Sequence, residues 1–160
     1  MSGFTKPVQL PVGVAIEGFE CGDDIVDGWA RKHSAHARQR GTAVVYASFS
    51  DGQVAGFYTL STHSVRRSEA ASWLARNAPE DIPAVLLGML GVDKKFKGRG
   101  LGASLLKDAV ENSGKVAALA GARALVVDPT GADAASFYEH FGFMQIPGSS
   151  RMALKLPANP

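Results

Sequence analysis

The sequence is poor in cysteine, with Cys21 alone among 160 residues. A single cysteine excludes an intramolecular disulfide and is typical of a protein from a reducing compartment. A catalytic Cys21 would need a histidine partner that the sequence does not place, so an inert thiol is the simpler interpretation. The four histidines also lack the spacing of metal ligands, and no zinc or other metal is predicted; they are His33, His36, His63 and His140.

Long apolar runs and strong net charge are lacking as well. No run approaches the roughly 18 residues of a membrane-spanning helix, and no basic-then-apolar leader opens the chain. We therefore expect a cytoplasmic protein with no membrane partner. The formal net charge is only +2 and charged residues make up 20%, which indicates neither disorder nor a strongly basic nucleic-acid protein. With 46% hydrophobic residues, residues 1–160 are expected to form a single domain.

The order of the elements predicts an α/β (α+β) fold, in which helices on both faces cover a mixed central sheet of about six to seven strands. β-Branched and apolar stretches predict the strands, at 12–16, 42–49, 54–61, 85–92, 123–127, 142–146 and 151–156. Helical spacing and start signals predict the helices, from Gly22-Asp23-Asp24 to about Lys32, over Ser34 to Arg40, around Glu69 to Ala75, from the glycines before Leu101 to Gly121, and from Thr130 or Asp133 to His140.

The stretch from Val85 to Ala103 is the most informative part of the chain. An apolar run ends at Asp93, four of the next six residues are cationic, and glycines at 98, 100 and 102 precede a helical pattern. Glycines allow the backbone to turn so that N–H groups and the helix dipole meet negative oxygens, which predicts a phosphate-binding loop. Neither the Walker sequence nor the dinucleotide fingerprint is present. A plain strand-to-helix connection is the alternative.

Together with Ser136–Phe143, the hexapeptide Lys97–Gly102 resembles the Gcn5-related N-acetyltransferase (GNAT) family, whose signature is Arg/Gln-x-x-Gly-x-Gly/Ala. Gly100 and Gly102 match it, whereas Lys97 stands where Arg or Gln is usual. The resemblance implies an acetyl-CoA-dependent N-acetyltransferase of the GNAT fold. Backbone N–H groups of 98–103 would bind the pyrophosphate, and a strand edge would bind the pantetheine arm. The coenzyme-binding residues so implied are Leu90, Gly91, Val92, Lys97, Gly98, Arg99, Gly100, Leu101, Gly102, Ala103 and Ser136.

By the same resemblance, Tyr138 is the catalytic general acid. A phenol with a pKa near 10 is protonated at neutral pH and can protonate a departing thiolate whose pKa is about 8.5. From spacing alone, the simpler interpretation is a core tyrosine among Phe137, Phe141 and Phe143. The family's Phe-Tyr pair reverses that preference.

No carboxylate is assigned as a general base. An aminoacyl α-amine has a pKa close to that of a chain terminus, roughly 7.7–8.0, so water suffices to deprotonate it. Asp93, Glu80 and Asp81 are interpreted as solvated or capping groups. A backbone N–H near Leu90 or Gly91 is our hypothesis for polarising the thioester carbonyl.

A closer resemblance is to one GNAT subgroup, the toxins that acetylate the amino group of aminoacyl-tRNA and are neutralised by ribbon-helix-helix antitoxins. It is carried by Phe19–Gly22 through Asp27–Trp29, Val54–Leu60, Arg76–Pro83 and the closing Phe-Tyr-x-x-x-Gly-Phe. The subgroup implies inhibition of translation, an antitoxin partner and a homodimer. The alternatives are a GNAT enzyme that acetylates a small amine or a protein N-terminus, and a non-catalytic module that binds acetyl-CoA or RNA.

Positive charge is concentrated in the middle of the chain. Residues 31–99 contain eleven lysines and arginines against five aspartates and glutamates. Such a surplus can follow an RNA backbone, although an ordinary solvated surface is the alternative for each residue. The candidates for tRNA binding are Lys32, Arg38, Arg76 and Lys94.

Overall fold

In the computed structural model, residues 3–157 are described, and they form a mixed sheet with four helices. The strands are β1 (Val8–Gln9), β2 (Val44–Ser50), β3 (Gln53–Arg66), β4 (Asp81–Val92), β5 (Ala124–Val127), β6 (Met144–Gln145) and β7 (Met152–Lys155). The helices are α1 (Asp24–His33), α2 (Ser72–Ala75), α3 (Leu101–Ala120) and α4 (Ala132–His140), with 3₁₀ turns at Arg67–Glu69 and Lys94–Phe96. The sheet has seven strands in the order β1-β2-β3-β4-β5-β7-β6. The predicted mixed α/β sheet is confirmed.

The described residues group into two compact units. The first unit comprises the residues up to Ser61 together with Gly88–Ala109, and the second comprises Thr62–Leu87 together with the residues from Val110 onwards. β3, β4 and α3 each continue from one unit into the other. Among residues 3–157, no helix combines the length and the apolarity needed to cross a membrane.

The core of the first unit lies between α1 and the β2–β3 hairpin. Asp23 caps α1 because its carboxylate accepts hydrogen bonds from the N–H groups of Ile25 and Val26. The apolar face of α1 then packs on Phe57, with the Trp29 ring stacked 6.2 Å from it. On another part of this unit, the buried Tyr58 hydroxyl donates a 2.6 Å hydrogen bond to Asp108 of α3.

The core of the second unit is built on β5, whose four residues are all buried. Its register is parallel to β4 from Ala84↔Ala124 to Leu87↔Val127, and β7 pairs on its other side in antiparallel. A continuous apolar run is typical of a strand that is buried on both faces, and this pattern predicted the strand at 123–127. Ile82, Val126 and Ala153 belong to this core.

Two predicted elements are wrong. Residues 12–16 are not a strand, because the N–H of Gly13 binds the Ala35 carbonyl and the N–H of Ile16 binds the Ser34 hydroxyl instead of a neighbouring strand. Residues 34–40 are successive turns and not a second helix. Ser34 also donates to the Ala30 carbonyl, and this competition with the backbone is typical of serine at a helix end.

The observed bounds of other elements differ from the predicted ones. The edge strand next to β2 is Val8–Gln9 and not 12–16, and both β3 and β4 are longer than predicted. Pro83 lies inside β4 rather than before it. α4 begins after Gly131, not at a Thr130 or Asp133 cap. Gly121, with φ +87°, ends α3 as predicted.

Candidate active site

The last residues of β4 form the first part of the candidate site. The parallel register with β5 ends at Leu87, so Gly88–Val92 extend beyond it as part of the first unit. Thr59 holds this segment, because its hydroxyl accepts a 2.9 Å hydrogen bond from the Met89 N–H. Leu90 and Val92 are half-buried, whereas Gly91 is buried. Leu90–Val92 thus lie beyond the residues paired with β5, and their binding of the pantetheine arm stays a prediction.

Gly91 is required by close packing. A Cβ at this position would lie 2.9 Å from Val26 of α1 and 3.3 Å from the Cys21 sulfur. These contacts bring β4 against the segment that precedes α1. Cys21 itself is buried, and burial raises the pKa of its thiol to about 11. A protonated thiol is a poor nucleophile, which agrees with the interpretation of Cys21 as inert.

Asp93 organises the turn that follows β4. Its side chain is 3% exposed, and its two oxygens accept from the N–H groups of Lys95 at 3.0 Å and Glu20 at 3.1 Å. The Lys94 N–H returns a 2.8 Å hydrogen bond to the Glu20 carbonyl. The interpretation of Asp93 as a capping group is confirmed. Glu80 and Asp81 are exposed.

The glycine-rich loop, Lys97–Gly102, leads directly into α3. Gly98 and Gly100 both have φ +80°, a conformation that other residues adopt at a cost, and a Cβ on either would meet open space. The first intrahelical hydrogen bond runs from the Ser104 N–H to the Gly100 carbonyl. The N–H groups of Leu101, Gly102 and Ala103 therefore precede the helical ladder and are available to an anion.

The cations around the loop have different partners. The Lys97 ammonium donates a 2.5 Å hydrogen bond to the Cys21 carbonyl. Lys95 and Arg99 lie on the ring of Phe96, each 5.9 Å from its centroid. Lys97 thus fastens the glycine-rich loop to the segment before α1, and both Lys97 and Arg99 are exposed.

Tyr138 lies on α4 in the second unit. It is 6% exposed and packs on Phe137 and Phe143, each with ring centroids 5.3 Å away. Burial raises the pKa of the phenol well above its usual value. The buried ring agrees with the interpretation of a core tyrosine. The role of the hydroxyl as a general acid stays a prediction.

The remaining predicted residues are distributed between the units. All coenzyme candidates except Ser136 belong to the first unit; Ser136 is exposed on α4, two residues before Tyr138. Of the tRNA candidates, Lys32, Arg38 and Lys94 are exposed in the first unit. Arg76 is exposed at the end of α2 in the second.

Sequence reasoning missed a polar cluster in the second unit. Arg151, just before β7, forms a bidentate ion pair with Asp128 at 2.7 and 2.8 Å and contacts the His63 ring at 2.8 Å. The hydrogen bonds from Arg151 lower the pKa of Asp128, and burial together with the Arg151 charge lowers the pKa of His63. His63 lies in β3, Asp128 follows β5 and Arg151 precedes β7, so no local motif links them. Among the described residues, no group of His, Cys, Asp and Glu side chains could hold a metal ion.

Comparison with known proteins adds three findings. The family model described as an acetyltransferase (GNAT) domain matches residues 38–145. A tRNA-acetylating toxin of Mycobacterium tuberculosis is 35% identical over 143 residues, which cover 89% of this chain and 86% of that protein.

Solved toxin structures share the fold. AtaT complexed with acetyl-methionyl-tRNAfMet superimposes with a TM-score of 0.83 at 22% identity, over 96% of this chain and 95% of that one. A mutant of AtaT bound to the C-terminus of the antitoxin AtaR and to acetyl-CoA gives a TM-score of 0.81 at 23% identity, over 96% and 93%. At these identities the likeness shows the fold alone.

Proposed function

The chain belongs to the GNAT family of N-acetyltransferases, and from this premise we propose that it transfers the acetyl group of acetyl-CoA to the α-amine of aminoacyl-tRNA. Acetylation would stop the aminoacyl group from being used in translation, so the protein would act as a toxin. The support for this substrate is the 35% identity with a tRNA-acetylating toxin over most of both chains. We also propose that both units work as one domain, because the family model matches residues of each.

The observation that carries the proposal is the backbone of the glycine-rich loop. Two glycines with φ +80° and three N–H groups at the start of α3 suit a diphosphate, because they can donate several hydrogen bonds without any side chain. Arg99 supplies an exposed positive charge. We assign the pyrophosphate of acetyl-CoA to this loop and its pantetheine arm to Leu90–Val92. The Lys97 side chain positions the loop through the Cys21 carbonyl.

The reaction requires that the amine and the thioester be oriented for attack and that one general acid protonate the leaving thiolate. The free α-amine attacks the thioester carbonyl, the new C–N bond forms, the C–S bond breaks and the amine loses a proton to water. Tyr138 donates its proton to the departing thiolate and recovers one from solvent, as its raised pKa favours the protonated phenol. A backbone N–H near Leu90 or Gly91 would stabilise the developing oxyanion.

The proposal also includes the binding partners of the protein. Exposed Lys32, Arg38, Arg76 and Lys94 would contact phosphates of the tRNA. A ribbon-helix-helix antitoxin would neutralise the toxin, the enzyme would work as a homodimer, and both would be cytoplasmic. The AtaT complex with the C-terminus of AtaR supports an antitoxin partner in this fold.

Transfer of radiolabelled acetyl groups tests the proposal. Purified charged tRNA should be labelled, whereas the same tRNA without its amino acid and a panel of free amines and peptide N-termini should not. Label found only on free amines or peptides would disprove the tRNA substrate and support another GNAT activity.

The variant Tyr138→Phe separates an enzyme from a binding module. We expect turnover to fall by roughly 10²–10⁴-fold while acetyl-CoA still binds, and expression of the variant should no longer arrest growth. Full turnover in the variant would refute the role of Tyr138, and an equal growth arrest would refute catalysis as the cause of toxicity.

A further inference from the structure

The second unit contains a pocket that has no part in the proposed chemical step, although Arg76, one of the proposed tRNA contacts, lines it. Its volume is about 430 Å³, and it lies where the end of α2, the end of α3 and the segment after β7 meet. Within the second unit it is at the start of β5, whereas Asp128 follows the end of that strand. The volume falls in the range of small-ligand sites, roughly 300–1,000 Å³.

The wall of the pocket is positively charged. Arg76, Arg123 and Lys155 line it, and no acidic side chain does. The Arg123 guanidinium donates to the carbonyls of Leu74, Arg76 and Asn77, so it fixes the wall but has no carboxylate partner there. Arg76 and Lys155 are exposed, and neither forms an ion pair within residues 3–157.

One side of the pocket is aromatic. Trp73 is half-buried and lines it together with the apolar Leu74, Leu156 and Pro157. An indole in the wall together with Arg76 and Lys155 matches two parts of one ligand class, since a nucleobase stacks on aromatic rings and its phosphate binds Arg or Lys. An acidic peptide would use the cations but would leave the aromatic face without a partner.

We propose that this pocket binds one unpaired nucleotide of RNA, with the base on Trp73 and the phosphate between Arg76 and Lys155. The inference rests on the proposed function, which supplies an RNA substrate that has unpaired nucleotides. It adds a subsite in the second unit whose residues are not those assigned to the chemical step. The subsite should therefore contribute to the affinity for tRNA and not to the chemical step.

Tryptophan fluorescence tests the subsite directly, because Trp29 and Trp73 are the two tryptophans of the chain. In Trp29→Phe, Trp73 is the sole indole, and a five-nucleotide single-stranded RNA should quench it saturably. Arg76→Ala with Lys155→Ala should abolish the quenching without disturbing Arg123, whose acceptors are backbone carbonyls. If Trp29→Phe does not fold, the difference between wild type and Trp73→Phe gives the same signal.

The matched control is Lys115→Ala. Lys115 is exposed on α3 and lies two residues, about 200° around the helix, from Ala117, which lines the pocket. Its loss removes the same charge from the same unit and should leave the quenching unchanged. Absence of quenching in the parent variant, or quenching lost equally in Lys115→Ala, would overturn the proposal. Tighter binding of pentaglutamate than of the RNA would overturn it in favour of a protein ligand.

Kinetics distinguish failure of the subsite from failure of the proposed function. With charged tRNA, Trp73→Leu should raise KM about tenfold and leave kcat nearly unchanged. Wild-type KM in this variant would refute the subsite while the tRNA substrate stands. If the wild-type protein does not acetylate charged tRNA, the proposed function fails, and the fluorescence titration still decides whether the pocket binds a nucleotide.

Discussion

Tyr138 is buried against the rings of Phe137 and Phe143, and this environment should shape the pH profile of the enzyme. Burial raises the pKa of the phenol above its usual value near 10, so the acid remains protonated as the pH rises. The α-amine, by contrast, must lose its proton at roughly pH 7.7–8.0. We expect kcat/KM to rise through that range and then to stay level to about pH 10. A decline between pH 8.5 and 10 would contradict a Tyr138 acid of raised pKa.

Substitutions of Gly100 should show whether a negatively charged group of the coenzyme binds beside this residue. Its φ of +80° makes any side chain strained, but Asn and Asp tolerate this conformation best and differ mainly in charge. We expect Gly100→Asp to lose acetyl-CoA affinity by at least tenfold relative to Gly100→Asn, because a carboxylate would repel the pyrophosphate. Isothermal titration with acetyl-CoA measures this difference. Equal affinities of the two variants would remove the argument for a phosphate site.

At the scale of elements, patterns of neighbouring residues predicted the secondary structure well. Contacts between residues far apart in the sequence could not be predicted. The segment from β4 through the glycine-rich loop to α3 could be predicted because an apolar run, glycines and helical spacing follow one another directly. The strand predicted at 12–16 failed because its N–H groups bind residues 34 and 35, a partnership that composition does not reveal. The Arg151–Asp128–His63 cluster was missed for the same reason. Its residues are up to 88 positions apart.

The role of Lys97 illustrates the same limit within the candidate site. The family signature led to the expectation of a coenzyme contact at this position, which stays a prediction, whereas the hydrogen bond from its ammonium to the Cys21 carbonyl was not expected. The loop backbone could be predicted from its glycines, whereas the partner of a long side chain depends on which distant segment packs beside it. That segment is held by Asp93 and Gly91, and neither contact is visible in the sequence.

The turn after β4 gives an element-scale prediction. Asp93→Ala removes both acceptors, leaving the N–H groups of Lys95 and Glu20 without them, which should cost about 1–3 kcal/mol of unfolding free energy. Asp93→Asn keeps one carbonyl oxygen and should cost less. Because the turn leads into the glycine-rich loop, acetyl-CoA affinity should fall in the same order. Urea unfolding and coenzyme titration test this. Unchanged stability of Asp93→Ala with lost affinity would instead indicate a direct contact with the coenzyme.

At the scale of the whole molecule, chain continuity leads us to expect that the two units unfold together. β3, β4 and α3 each begin in one unit and end in the other, so neither unit can unfold without breaking the hydrogen bonds of an element that continues into its neighbour. Trp29 belongs to the first unit and Trp73 to the second. Each variant that keeps one of them, Trp73→Phe or Trp29→Phe, therefore reports the unfolding of one unit.

We expect the fluorescence of Trp29 and that of Trp73 each to report the same unfolding transition as the whole chain. In each variant, the unfolding midpoint and slope in urea from fluorescence should equal those from circular dichroism, which follows the whole chain. The comparison within one variant matters because the Trp→Phe changes can shift stability by different amounts. A fluorescence midpoint that precedes the dichroism midpoint in one variant and follows it in the other would show two independent domains. Such a result would contradict the single acetyltransferase domain on which the proposed catalytic use of both the glycine-rich loop and Tyr138 depends.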